Sequence, residues 1–271
     1  MRTPTLRGVT LGYDDAGPTT GLPVLLIHGH PFNRSLWEPQ VVALVAAGYR
    51  VITPDLRGYG DSDVTPGQVF LSEFADDLAA LLDHLDIDRA VVGGVSMGGQ
   101  IAMEFHHRHR RRVRALVLSD TSAPAETAEG KDFRNRLADR LLAEGMGGYA
   151  DEVIDKMLAA YNVAALPRVA ERVLAMMRAT DPRGAAAALR GRAERRDYRD
   201  TLPAVREPVL IIVGVDDVYT PVADAETIQR LVPQAVLTVV DGAGHLPGAE
   251  QPDRFNAALL DFLDTEVKAQ G

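Results

Sequence analysis

The chain has 271 residues, no cysteine and a net charge of −9, from 29 Lys and Arg against 38 Asp and Glu. Without cysteine there is no disulfide framework and no thiol nucleophile, and the acidic balance argues against a nucleic-acid partner. Hydrophobic residues at 46% and charged residues at 25% are those of an ordinary globular domain, large enough to be held by its own core.

No stretch approaches the ~20 apolar residues of a membrane span, and residues 1–10 lack the apolar region of a secretory signal. A cytoplasmic protein with no membrane partner is therefore expected by default. Oligomeric state has no signature in the sequence.

Residues 5–13 alternate loosely and end in the turn cluster Asp14-Asp15-Ala16-Gly17-Pro18, which predicts one or two short edge strands. Residues 22–27 are continuously apolar, as in a strand buried on both faces. They stop at His28-Gly29-His30-Pro31-Phe32. A helix is predicted over 36–47, closed by Gly48, and then a strand over 49–53. The loop Asp55-Leu56-Arg57-Gly58-Tyr59-Gly60-Asp61-Ser62 follows, with Asp55 and Arg57 expected to tie loops together. Phe74, Leu78, Leu81, Leu82 and Leu85 recur at spacings of three and four, predicting an amphipathic helix over 71–85.

A strand over 90–95 then runs into Gly94-Val95-Ser96-Met97-Gly98, and a helix continues to about residue 109. A serine between a buried strand and a helix N-terminus, with glycines two before and two after, has the spacing of a nucleophile elbow. Larger residues at Gly94 and Gly98 would collide with neighbouring elements. The turn presents the hydroxyl and aims the first helical N–H groups at any anion formed there. A helix-capping serine after a glycine-rich turn would look the same locally, so partners elsewhere have to decide.

Another strand is predicted over 113–118. Alternating strand and helix argues a mostly parallel sheet of about eight strands with helices on both faces. From 122 to 200 no strand is found. Four helices are predicted instead, over 131–144, 148–161, 166–179 and 182–196. This segment is read as a helical cap inserted into a core made of 1–121 and 201–271. Alternation resumes with a strand over 208–214, a helix over 222–231, a strand over 235–240 and a helix over 252–267.

Ligands bind beyond the carboxyl ends of the strands in such a sheet. Those ends carry His28-Gly29-His30, Asp55, Ser96, Asp120, Asp216-Asp217 and His245. A nucleophile, an acid and a base thus follow in chain order. Ser96 needs a base to take its proton, and His245, after a glycine-rich turn, is the candidate. The base needs an acceptor on its other nitrogen, from Asp216, Asp217 or Asp120.

With these motifs in place, the chain resembles α/β-hydrolase-fold serine hydrolases over nearly its whole length. Gly214-Val215-Asp216-Asp217 and Gly244-His245-Leu246-Pro247, with Glu250-Gln251-Pro252, extend the match. Within that superfamily it is most similar to the esterase, 3-oxoadipate enol-lactonase and cofactor-free haloperoxidase branch. The resemblance implies Asp217 as the acid, with Asp216 turned to solvent or capping the turn. It also implies backbone N–H groups of His30 and Met97 as the oxyanion hole. His30 departs from the aromatic or small residue of many relatives, and packing is the favoured role for its side chain.

Pocket walls are expected from Phe32, Trp37, Met146, Met157 and Met176. The methionines predict an apolar, adaptable pocket. The expected activity is hydrolysis of a small-molecule carboxylic ester or lactone, with no metal and no organic cofactor. The alternatives are perhydrolase or haloperoxidase chemistry on the same triad, and a ligand receptor on the same fold. Serine at position 96 argues against the carboxylate-nucleophile dehalogenases and epoxide hydrolases. The basic run His106-His107-Arg108-His109-Arg110-Arg111-Arg112 sits where cations complement a helix C-terminus. It is discounted as a metal or nucleic-acid site.

Overall fold

A computed structural model describes residues 3–268; the two residues at the start of the N-terminal stretch and the last three of the chain lie outside it. Seven strands form one sheet in the order β3-β5-β4-β6-β7-β8-β9. They are β3 (Tyr13–Ala16), β4 (Pro23–Ile27), β5 (Arg50–Pro54), β6 (Ala90–Val95), β7 (Val113–Ser119), β8 (Val209–Gly214) and β9 (Val236–Val240). Only β3 is antiparallel to its neighbour, β5.

The expected sheet of about eight strands is therefore one strand too wide. The N-terminal segment folds back at Arg7 and Gly8, both at positive φ, so that β1 (Thr5–Leu6) and β2 (Val9–Thr10) pair with each other and not with the sheet.

The apolar runs are strands buried on both faces, with alternate residues serving different sides. Val24 and Leu26 pack with Leu44, Phe255 and Leu259 on one side. Leu25 and Ile27 pack with Phe74, Leu78, Ile101 and Ile228 on the other. The first side is covered by α1 (Glu38–Ala46) and, near the C-terminus, by the helix Pro252–Phe262. The second is covered by α2 (Leu71–His84), α3 (Met97–His109) and the helix Val222–Leu231. Each core side chain thus removes apolar area from water at about 25 cal/mol per Å².

Between β7 and β8 lie five helices, not four: α4 (Ala128–Glu144), α5 (Gly147–Met157), α6 (Ala160–Ala165), α7 (Pro167–Ala179) and α8 (Pro182–Ala193). The predicted 148–161 helix breaks at Leu158, where the chain turns extended before α6. Helix α8 rests directly on the core. A Cβ on Gly191 would stand 1.6 Å from the Val69 carbonyl oxygen, and one on Gly184 2.0 Å from that of Gly58. The Val69 N–H donates to the Ala187 carbonyl at 3.0 Å. Small residues on this face bring two backbones together and seat the helices over the carboxyl ends of the strands.

The remaining helices are α9 (Val222–Leu231), α10 (Pro247–Glu250) and α11 (Pro252–Phe262). No helix among the described residues is long and apolar enough to cross a membrane.

Candidate active site

The turn between β6 and α3 holds Ser96 at φ 57° and ψ −118°, a strained backbone that a non-glycine residue keeps only when its surroundings impose it. The flanking glycines show what imposes it. A Cβ on Gly94 would meet the Gly98 carbonyl at 2.3 Å, and a Cβ on Gly98 the Ile27 oxygen at 2.2 Å. Strand, helix and the end of β4 are pressed together around the serine.

His245 lies in the turn before α10. Its Nδ1 is 2.8 Å from Asp217 Oδ2, and both side chains are buried. Asp217 is oriented by three further donors. Thr220 Oγ1 donates to Oδ2 at 2.6 Å, and the N–H groups of Tyr219 and Thr220 donate to Oδ1 at 2.8 and 3.1 Å. Burial alone would raise the Asp217 carboxyl, but His245 and Thr220 outweigh it and hold it below its usual value. The Tyr219 ring stands edge-on to His245, 5.2 Å between centroids. Asp216 is exposed and accepts from the Tyr161 hydroxyl of α6 at 2.6 Å.

Ser96 and His245 line one cavity of about 400 Å³. Among the described residues Ser96 Oγ has no hydrogen-bond partner. Asp120, the other acid at a strand end, is buried. It accepts from the Gly214 N–H at 2.9 Å and from Ser119 Oγ at 2.5 Å. Burial and then Asp217 push its carboxyl well above the usual range. One ligand-type atom each from Asp120, Asp217 and His245 lie within 4.8 Å of one another. Asp217 and Asp120 are already engaged by donors, which fits a hydrogen-bonded acid pair better than an ion cage.

His28 makes the loop after β4 rigid. Its Nδ1 meets the Gly29 carbonyl at 2.9 Å and its Nε2 accepts from Leu56 N–H at 3.0 Å, and burial lowers its pKa. It is a neutral structural imidazole. Gly29 passes so close to Ser96 that an added Cβ would be 3.2 Å from the serine Cβ. Among the described residues the backbone N–H groups of His30 and Met97 have no acceptor. The His30 ring is buried, with Nδ1 2.8 Å from the Tyr59 hydroxyl and Nε2 unpartnered. Burial, then Arg192 and Arg134, hold its pKa well below 6.5.

The expected pocket walls need correction. Only Met157 lines the cavity. Phe32 and Met146 are core residues, Trp37 packs on Phe255, and Met176 lies by Ser35 and Thr180 on a separate depression. Met146 and Met176 pack in the core, and α4, α5 and α8 bring charged as well as apolar side chains to the cavity. The pocket is more mixed than the apolar one expected: Phe133, Leu137, Val153, Met157 and Leu189 line it together with Arg134, Arg140, Lys156, Arg192 and Arg195.

Several contributors carry no signal of their own in the sequence. Glu250 is one: it accepts from Gly244 N–H at 2.9 Å and Leu246 N–H at 3.4 Å, and from Ala159 N–H at 2.8 Å and Asn162 Nδ2 at 2.7 Å. It clamps the His245 turn to the α5–α6 junction. Its position beside Pro252 in a familiar motif marked it without saying why. Asp55 and Arg57 do tie loops: Asp55 accepts from Arg34 N–H and Asp61 N–H at 2.8 Å each, and Arg57 grips Asp77 with two nitrogens at 2.8 and 2.7 Å. The basic run is engaged: Arg110 pairs with Glu207 and Arg108 with Asp76, and His106 and His109 hydrogen-bond to the same two carboxylates.

A strained serine at the sheet's carboxyl edge and a carboxylate-supported histidine on one cavity define the class of hydrolases built on a mostly parallel α/β sheet. A family profile described as the alpha/beta hydrolase fold matches residues 23–252, and the chain belongs to that family. It is 29% identical over 263 residues to 3-oxoadipate enol-lactonase 1 of Acinetobacter baylyi, covering 95% of this chain and 94% of that one. An esterase of Thermogutta terrifontis with malate bound superposes with a TM-score of 0.94 at 39% identity, covering 98% of each chain. A bromoperoxidase of Bacillus anthracis gives 0.83 at 27% identity, over 94% of this chain and 96% of that one.

Proposed function

We propose that the protein hydrolyses a carboxylic ester or lactone through an acyl-enzyme on Ser96. The observation that carries this reading is the buried Asp217–His245 pair, whose histidine lines the same cavity as the elbow serine. His245 Nε2, free of Asp217, takes the Ser96 proton as Oγ attacks the carbonyl. Asp217 stabilises the imidazolium so formed. The unengaged N–H groups of His30 and Met97 receive the oxyanion, each worth about 3 kcal/mol to the tetrahedral intermediate. Collapse breaks the ester C–O bond, and His245 protonates the departing oxygen. Water then gives a proton to His245 and attacks the acyl carbon, and Ser96 Oγ regains the proton as the acid leaves.

The test is Ser96→Ala, assayed on p-nitrophenyl butyrate. Hydrolysis is expected to vanish with the circular dichroism spectrum unchanged; a rate near that of the parent protein would overturn the reading. A second reading is supported by the likeness to a bromoperoxidase: peroxide replaces water as acyl acceptor on the same residues. Acetate and peroxide with a halogenation readout separate the two.

A further inference from the structure

Packing accounts for only one of the two nitrogens of the His30 ring. Nδ1 lies 2.8 Å from the hydroxyl of Tyr59, a core residue that does not line the cavity. Nε2 is buried and, among the described residues, meets no partner. His30 itself lines the cavity that holds Ser96 and His245, so Nε2 is the nitrogen left for what enters there. A ring nitrogen withdrawn from water without a hydrogen bond is costly, and a ligand that pairs with it removes that cost.

Tyr149 of α5 stands beside it. The two rings are tilted at 52° with centroids 6.3 Å apart, and Tyr149 lines the same cavity. Its hydroxyl also has no partner among the described residues, and burial pushes its pKa up to about 12. Burial, then Arg192 and Arg134, keep the His30 ring uncharged. Two neutral hydrogen-bonding groups thus stand open on one cavity. Its two carboxylates, by contrast, are engaged: Glu126 accepts from Arg134 at 2.8 Å and also from Arg195, and Glu152 from Arg140 at 2.7 Å.

We propose that the substrate carries a hydroxyl group a few bonds from its scissile carbonyl, and that His30 Nε2 and the Tyr149 hydroxyl hold it. The substrate class is then an ester of a hydroxy acid or of a diol, or a hydroxylated lactone. This rests on the serine-hydrolase reading above, in which the His30 N–H receives the oxyanion; its imidazole is therefore one side chain's length from the reacting carbonyl. A hydroxyl both donates and accepts. It satisfies Nε2 whichever nitrogen carries the imidazole proton, and leaves Tyr149 to take the opposite part. A methyl group in that place would leave Nε2 desolvated and unpaired, so the site selects against the alkyl analogue as well as for the alcohol.

The experiment compares pairs of esters that differ by hydroxyl against methyl, by pH-stat. Methyl lactate with methyl isobutyrate and methyl 3-hydroxybutanoate with methyl 3-methylbutanoate place the hydroxyl on the acid. The pair 2-hydroxyethyl butanoate and propyl butanoate places it on the alcohol. In the parent protein at least one hydroxylated ester is expected to exceed its partner in kcat/KM by about tenfold. His30→Phe should lose that preference and Tyr149→Phe should reduce it. His30→Gln, whose amide reaches the place of Nε2, should keep part of it. No preference in any pair, or an unchanged ratio in a folded His30→Phe, would overturn the proposal; where His30→Phe does not fold, an unchanged ratio in Tyr149→Phe does so. Calorimetric titration of Ser96→Ala with the same esters reads the contact without turnover. Tighter binding of a hydroxylated ester than of its partner, lost when Tyr149→Phe is added, supports it, and equal binding within every pair overturns it. If the parent protein cleaves none of these esters, the hydrolase reading falls while the titration still decides the hydroxyl contact.

Discussion

Replacing Asp217 by Asn tests the acid–base pair more sharply than deleting it. The N–H groups of Tyr219 and Thr220 both point at Oδ1, so an amide at this position keeps its oxygen there. Its NH₂ then occupies the place of Oδ2, facing His245 Nδ1 at 2.8 Å. Two donors cannot share that contact. The imidazole must move its proton to Nε2, which leaves the ring unable to accept from Ser96. The charge is lost as well. At 2.8 Å and an effective dielectric of about 20, carboxylate and imidazolium attract by about 6 kcal/mol, or roughly four decades of rate. Asp217→Asn is therefore expected to lower kcat for p-nitrophenyl butyrate by about 10³–10⁴-fold with an unchanged melting temperature. Asp120→Asn keeps an oxygen for the Gly214 N–H in a side chain of the same shape, away from His245, and should cost less than about tenfold. Stopped assays at pH 7.5 with melting curves on both variants decide the matter. A loss below about tenfold in Asp217→Asn, or the larger loss in Asp120→Asn, would refute the assignment of the acid.

Two further expectations concern the scaffold. Gly98→Ala gains about 1 kcal/mol of helix propensity, but its methyl group meets the backbone of β4 at 2.2 Å. The strain of about 1–3 kcal/mol or more wins, so the melting temperature should fall and activity with it. Gly148→Ala, with no atom within 4 Å, should melt at or above the parent temperature; equal melting of the two variants would refute the steric account. The second concerns His30, whose protonation burial suppresses in the folded state. The unfolded chain takes up a proton there below about pH 6.5, so stability falls with acidification by up to about 1.4 kcal/mol per pH unit. In His30→Gln the loss of stability between pH 6 and pH 5 should shrink by about 1 kcal/mol in urea unfolding; an identical slope would show that His30 is protonated when folded.

Much of this molecule is legible in its sequence because local constraints write it there. Strands such as Pro23–Ile27 and Val209–Gly214 are apolar at every position because both faces are covered, and the glycines around Ser96 are the residues that a strand and helix in contact leave room for. The chain order of serine, acid and histidine follows from strand ends, while the choice of Asp217 over Asp216 and Asp120 is what the family resemblance implied. The N-terminal hairpin was less legible, since two-residue strands do not reveal whether they pair with each other or with a sheet edge.

The sequence by itself determined the fold class, the elbow and the residues at the carboxyl ends of the strands. Only the tertiary structure decided what those residues face. Met157 and Met176 look alike on amphipathic helices, yet one reaches the cavity and the other does not, because helix packing sets which stripe turns inward. Arg134 on α4, Arg192 on α8 and Arg195 just after α8 look like solvated charges. Packing α8 against the core through Gly184 and Gly191 turns Arg192 toward Gln100 and the cavity. Periodicity shows that a helix has two faces; the contacts of its neighbours choose which one the substrate meets.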